Sequence, residues 1–251
     1  MIVEICANSY QSAMNAEKAG AHRIELCCEL AVGGITPSYG LIKKVIHDIT
    51  IPVHVLIRPR SGDFMYSNEE FEIMKHNIKL CKHLGTKGIV SGILNSNLTI
   101  DIKRTQELVE LSKPMAFTYH RAFDWVVNPI ESLEQLEQIG VHSVLTSGQE
   151  LSAENGISLL KELKDQTRIT MIPGGGIHKD NVQLFLDAGF SEIHLSATKQ
   201  HQTIEVPRIP MNSLKHYEET QQTISDIEII KNYCCPIKLK IKQKFRYHPN
   251  K

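Results

Sequence analysis

Several short apolar runs in this chain carry, at every second position, a residue type that can move a proton or grip an anion. Glu4 and Cys6 alternate with Val3 and Ile5, and Glu25 and Cys27 alternate with Ile24 and Leu26. His54, Leu56 and Arg58 alternate with Val53, Val55 and Ile57. Further along, Thr118 and His120 alternate with Phe117 and Tyr119, and His194 and Ser196 with Ile193 and Leu195. Carboxylates and imidazoles brought together this way suit general acid–base work, for which Glu4, Glu25, His54, His120, Asp124 and His194 are the candidates. RPRSGDF places Arg58, Arg60 and Asp63 in one loop. Two guanidinium groups there suit a carboxylate or phosphate ligand, while Arg60 with Asp63 could equally form a loop salt bridge. Gly174, Gly175 and Gly176 can present backbone amides to an anion, or simply turn the chain tightly.

These residues need a scaffold that gathers them. Eight Ile- and Val-rich runs begin at Ile2, Arg23, Pro52, Gly88, Met115, Ser143, Arg168 and Glu192, with amphipathic helical stretches between them. Alternating βα units predict a parallel sheet. Eight of them in about 200 residues predict a closed α/β structure, a (β/α)8 TIM barrel in a single domain. The rival, an open doubly wound sheet, lacks a GxGxxG after its first strand. Helix signals agree: Ser67 with Glu70 reads as a capping box, and Asn128, Pro129 and Glu131 as a helix start. On such strands the apolar residues face the helices and the alternate polar ones face the barrel interior. Unpaired buried charge is costly, so these groups are expected to meet one another near the C-terminal mouth, where barrel active sites lie. The plain alternative for any one of them is an internal salt bridge, such as Glu4 with Arg58.

The composition bounds the partners. The chain has 251 residues, 41% of them hydrophobic, with 28 Lys+Arg balancing 28 Asp+Glu. That range is globular, and zero net charge argues against nucleic acid. Seven of the basic residues fall in 231–251, where there is no acidic residue, so the rest of the chain stands at −7. The first ten residues, MIVEICANSY, lack the basic and apolar regions of a signal peptide. No run reaches the roughly 18 residues of a membrane span, so no membrane partner is expected and a cytoplasmic location is. The six cysteines show no zinc-ligand spacing and are expected as thiols. TIEVPRIPM reads as a loop and SLKHYEETQQTISDIEIIKNY as a last helix, ending the barrel near residue 230. Residues 231–251 then form a basic tail of uncertain order.

The segments together resemble the CutC family of copper homeostasis proteins. The matching stretches are EIC at Glu4–Cys6, RIELC at Arg23–Cys27, GGITPSYG at Gly33–Gly40 and IPVHVLIRPRSGDFMYS at Ile51–Ser67. TYHRAFD at Thr118–Asp124, LTSGQ at Leu145–Gln149, GGGI at Gly174–Ile177 and EIHLSA at Glu192–Ala197 follow in order, over residues 1–198. The resemblance implies a (β/α)8 barrel, a cytoplasmic location and a role in copper homeostasis. It makes Cys6 and Cys27 the inward cysteines of the first two strands, and soft thiolates prefer Cu(I). Copper is thus the implied metal, and no organic cofactor is implied. The residues themselves support a second class, a barrel enzyme of lyase, isomerase or hydrolase type acting on a small anionic or sugar-like metabolite. In that reading Arg58, Arg60, Asp63, Ser147, Gly174, Gly175, Gly176 and Ser196 contact the ligand, and Glu25 or His120 moves a proton. A non-catalytic interaction protein using the basic tail is a third class. Homo-oligomers are compatible with all three.

Overall fold

The computed structural model describes residues 1–205, 209 and 219–234. Strands β1 (Ile2–Ala7), β2 (Arg23–Leu26), β3 (Val53–Leu56) and β4 (Gly88–Ser91) lead into β5 (Ala116–Tyr119), β6 (Ser143–Thr146), β7 (Thr170–Pro173) and β8 (Glu192–Leu195). They pair in parallel in the order β7-β6-β5-β4-β3-β2-β1-β8, and a parallel bridge between Gly174 and His194 joins the two ends. The crossovers are α1 (Tyr10–Ala19), α2 (Tyr39–Asp48), α3 (Asn68–Leu84), α4 (Ile102–Ser112), α5 (Pro129–Gln138), α6 (Ile157–Asp165) and α7 (Val182–Asp187). This is the (β/α)8 barrel that the alternation predicts, and the open sheet is excluded.

Local chemistry fixes the helix starts. Ser67 accepts from the Glu70 amide while the Glu70 side chain accepts from the Ser67 amide. Asn128 caps α5 through the Glu131 amide, with Pro129 in the first turn. The outward faces of the strands, including Val3, Ile5, Ile24, Val55, Phe117 and Ile193, pack with Ala13, Val45, Met74 and Leu108 of the helices in one continuous core. Each fully buried Ile, Leu or Phe there contributes roughly 1.5–3 kcal/mol. Inside the barrel, Cys6, Cys27, Leu56 and Val90 form a separate small apolar cluster.

β4 sends no ionisable group inward, and its glycines explain why. A Cβ on Gly88 would lie 2.4 Å from the His54 ring, and one on Gly92, just after the strand, 2.7 Å from the His120 ring. The strand gives up side chains so that imidazoles from β3 and β5 can occupy the interior.

The chain after β8 departs from the expected single helix. β9 (Thr198–Gln202) pairs antiparallel with β10 (Gln221–Ser225), and a helix over 227–234 follows. The hairpin sits over the start of α1, where Ser12 Oγ accepts from the Ser225 amide and Asn15 donates to the Ser225 carbonyl. QQTIS is therefore a strand because it finds a partner strand and helix-end polar groups, neither of which its own pattern reveals. The helix runs through the expected boundary at residue 230, so residues 231–234 belong to the folded body. Most of TIEVPRIPM, residues 213–218 and residues 235–251 lie outside the described residues. No helix among the described residues is long and apolar enough to cross a membrane.

Candidate active site

Glu4 is buried, and its carboxylate joins three strands. Its register partners are Arg23 on β2 and His194 on β8. Arg23 Nε donates to Glu4 Oε2, and Arg23 Nη2 reaches Glu192 Oε2 at 2.6 Å. His194 Nδ1 lies 2.7 Å from Glu4 Oε1. Burial alone would raise the Glu4 pKa, but the His194 hydrogen bond and the charges of Arg23, His194 and His54 hold it well below the usual carboxylate range. Burial likewise pulls His194 down, yet hydrogen bonds to Cys6 and Glu4 and the nearby carboxylates lift it well above 6.5. His194 is therefore an imidazolium whose Nδ1–H donates to Glu4. The expected Glu4–Arg58 pair does not form, because the cation beside Glu4 is Arg23.

Arg23 and His194 match Glu4 and Glu192, which leaves Glu25 as the surplus acid. It is buried, it stands opposite Cys6 and His54 in register, and its Oε2 has no hydrogen-bond partner among the described residues. His194 Nδ1 is 3.8 Å away, too far for a hydrogen bond. Burial raises its pKa to about 7, with Glu4 adding to the rise and His194 opposing it. Burial pushes His54 down to about 4, so it is neutral near pH 7.

The thiols share this wall, and of the two only Cys6 bonds to one of its ions, His194. Cys6 Sγ and Cys27 Sγ are 3.5 Å apart. The bond to Cys27, and then burial, hold the Cys6 thiol well above its ordinary pKa. Gly34 covers Cys27, with its Cβ position 3.6 Å from Sγ.

Above lies a mouth cavity of about 820 Å³, lined by Cys6, Glu25, Arg58, His120, His194 and Ser196 among others. His120 Nδ1 accepts from the Ala122 amide at 3.2 Å, so the neutral ring carries its proton on Nε2, and that atom has no partner among the described residues. Burial, then the Arg58 charge, takes its pKa down to about 3. His120 is a donor at neutral pH, not a base. Arg58 donates to the carbonyls of Val32, Gly34 and Gly62, which ties together the loops after β2 and β3. Phe64 packs against Arg58, His120 and Trp125.

Other candidates have local duties. Arg60 pairs with Asp63 and Glu70, and neither Arg60 nor Asp63 lines the cavity. The loop salt bridge is therefore what forms. Asp124 does not bond His120. It accepts from Arg121, the Thr146 hydroxyl and the Ser147 amide and hydroxyl. Gly175 and Gly176 line the cavity, whereas Gly174 and Ser147 do not. The sequence reading missed Arg23 and Glu192, although each lies two residues before an assigned inward group. It also gave no role to Arg121 or Trp125.

The model of the CutC family matches residues 1–199. This chain belongs to the CutC family. The CutC protein of Proteus mirabilis (strain HI4320) is 48% identical over 199 residues, covering 79% of this chain and 80% of that one. The CutC protein of Yersinia pestis (strain Pestoides F) is 42% identical over 239 residues, covering 92% and 90%. A crystal structure of CutC from Streptococcus agalactiae, described as a candidate copper homeostasis protein, superposes with a TM-score of 0.73 at 33% identity. It covers 77% of this chain and 97% of that one. Thiamine phosphate pyrophosphorylase from Pyrococcus furiosus, at 12% identity and a TM-score of 0.59, shares the fold.

Proposed function

We propose that this CutC chain serves copper homeostasis, as its solved relative is described, through acid–base chemistry on a small anionic metabolite at the barrel mouth. The observation that carries this reading is Glu25, a buried carboxyl on the cavity wall with an unpartnered oxygen and a pKa of about 7. A proton carrier works best with a pKa near the working pH. Glu25 removes or returns a proton, His120 Nε2–H donates to an oxygen that gains charge, and the His194 imidazolium stabilises the anionic form. Proton abstraction and return of this kind belong to lyase or isomerase chemistry. The thiols of Cys6, Cys27, Cys28 and Cys81, which form no disulfide among the described residues, support a reducing, cytoplasmic setting.

Direct Cu(I) ligation by Cys6 and Cys27 is the second reading, favoured by their 3.5 Å separation and by the softness of thiolates. Two observations weigh against it. Among the described residues, no third His, Cys, Asp or Glu offers a ligand atom within 4.8 Å of both sulfurs. Metal binding must also release thiol protons, and the Cys6 proton is held tightly.

Anaerobic Cu(I) competition against a chromogenic chelator separates the two. Weak binding that is unchanged in Cys6→Ser/Cys27→Ser is expected. Tight stoichiometric binding that is lost in the double variant would make copper the ligand and displace the acid–base reading.

A further inference from the structure

The loop after β5 carries a cavity arginine with an unused edge that is open to solvent, whereas the unpartnered Nε of Arg58 is buried. Arg58 gives its Nη groups to three carbonyls, and Arg60 is held by Asp63 and Glu70 away from the cavity. Arg121 lines the cavity with its side chain 46% exposed. Its Nε donates to Asp124 at 2.7 Å and its Nη2 to Ser147 Oγ at 2.9 Å. Its Nη1 has no hydrogen-bond partner among the described residues.

The support behind Arg121 is rigid. Asp124 is fixed by the Thr146 hydroxyl and the amides of Ser147 and Gln149. These bonds set the guanidinium plane before any ligand arrives, which lowers the entropy cost of binding. The space beside Nη1 is kept open by Gly175, whose Cβ position lies 3.4 Å from that nitrogen. At φ +103° and +70°, Gly175 and Gly176 hold backbone conformations that side-chain-bearing residues rarely adopt.

We propose that Arg121 is the anion-binding residue of the mouth, seating a phosphate or carboxylate of the ligand between its free Nη1 edge and the Gly175–Gly176 turn. This deepens the acid–base reading and rests on it for the ligand's reacting end. Arg121 follows β5 and the glycines follow β7, while Glu25 stands on β2, three strands away from each round the ring. The ligand therefore spans the cavity, with its anionic group on the β5–β7 wall and its reacting atoms beside Glu25, His194 and His120.

Trp125, the single tryptophan of the chain, lines the same cavity at 47% exposure and reports occupancy. The experiment titrates inorganic phosphate and, separately, oxalate into the full chain at constant ionic strength, followed by Trp fluorescence and calorimetry. Saturable binding of at least one anion is expected, and whichever binds tighter identifies the group. Arg121→Gln should weaken it at least about tenfold, Arg121→Lys should recover part of the loss, and Arg60→Gln should bind as wild type. No saturable binding by the wild type, equal binding by Arg121→Gln, or equal loss in Arg60→Gln overturns the assignment. Arg121→Lys keeps a cation beside Asp124, so a folded variant is available if Arg121→Gln does not fold. Binding retained in Glu25→Gln separates this site from the proton carrier. A Glu25 pKa near 4.5 would sink the acid–base reading while the anion site stood.

Discussion

Glu4 and Cys6 stand two residues apart on one inward face of β1, and Glu25 and Cys27 repeat the arrangement on β2. The carboxyls meet cations from β2 and β8, whereas the thiols meet each other and two aliphatic side chains, with Cys6 alone also bonded to His194. Position along the strand does not decide exposure. Cys27 is nearer the mouth than Glu25, yet Gly34 covers it and Glu25 reaches the cavity. The loop after β2 therefore divides the wall into a charged part that ligands can reach and a neutral part of which only Cys6 borders the cavity. Charge counting then picks out Glu25: the other ions pair, and the remaining acid keeps its proton until about neutral pH.

The charged part is most sensitive to substitution at Glu4. Glu4→Gln leaves His194 and Arg23 without their shared anion, and uncompensated buried charge costs about 3–5 kcal/mol. Urea unfolding at pH 7 reads this, and an effect under about 1 kcal/mol would show that the charged part is not held by ion pairing.

Glu25 gives a smaller, pH-dependent effect. Its folded-state pKa is raised to about 7 from the ordinary 4.5, so the folded form binds the proton more tightly than the unfolded chain. The stability from that proton is full below pH 4.5 and is lost as the pH rises through 7. Glu25→Gln removes the loss, so the variant should gain on wild type between pH 5 and 8, by of order 1–3 kcal/mol. Parallel unfolding curves at pH 5 and pH 8 check it.

The thiol side should respond least. Cys27→Ala removes a buried sulfur that serves packing, at a cost of about 1–2 kcal/mol, and leaves the Glu25 titration where it was. A shift of that titration would show that the two parts are coupled.

The sequence made much of this arrangement legible. Period-two alternation assigned the inward faces of β1, β2, β3, β5 and β8, including every member of the two parts except Arg23, Val90 and Glu192. It could not say which groups pair. His194 and Glu4 are 190 residues apart, and their contact depends on β8 closing beside β1. Arg58 looked like a ligand grip, but its reach to three loop carbonyls depends on how two loops fold over it. Arg121 was visible only as a residue in HRAFD, because its free edge follows from the partners that Asp124 collects. β10 was hidden because QQTIS and its partner TKQHQ lack an apolar face of their own.

The most direct test is a carbon-detected NMR titration of the Glu25 side-chain carboxyl in the full chain, assigned by its absence in Glu25→Gln. The account predicts a midpoint near pH 7. A midpoint near 4.5 would mean that Glu25 is an ordinary ionised carboxylate at neutral pH, and the barrel mouth would lose its proton carrier.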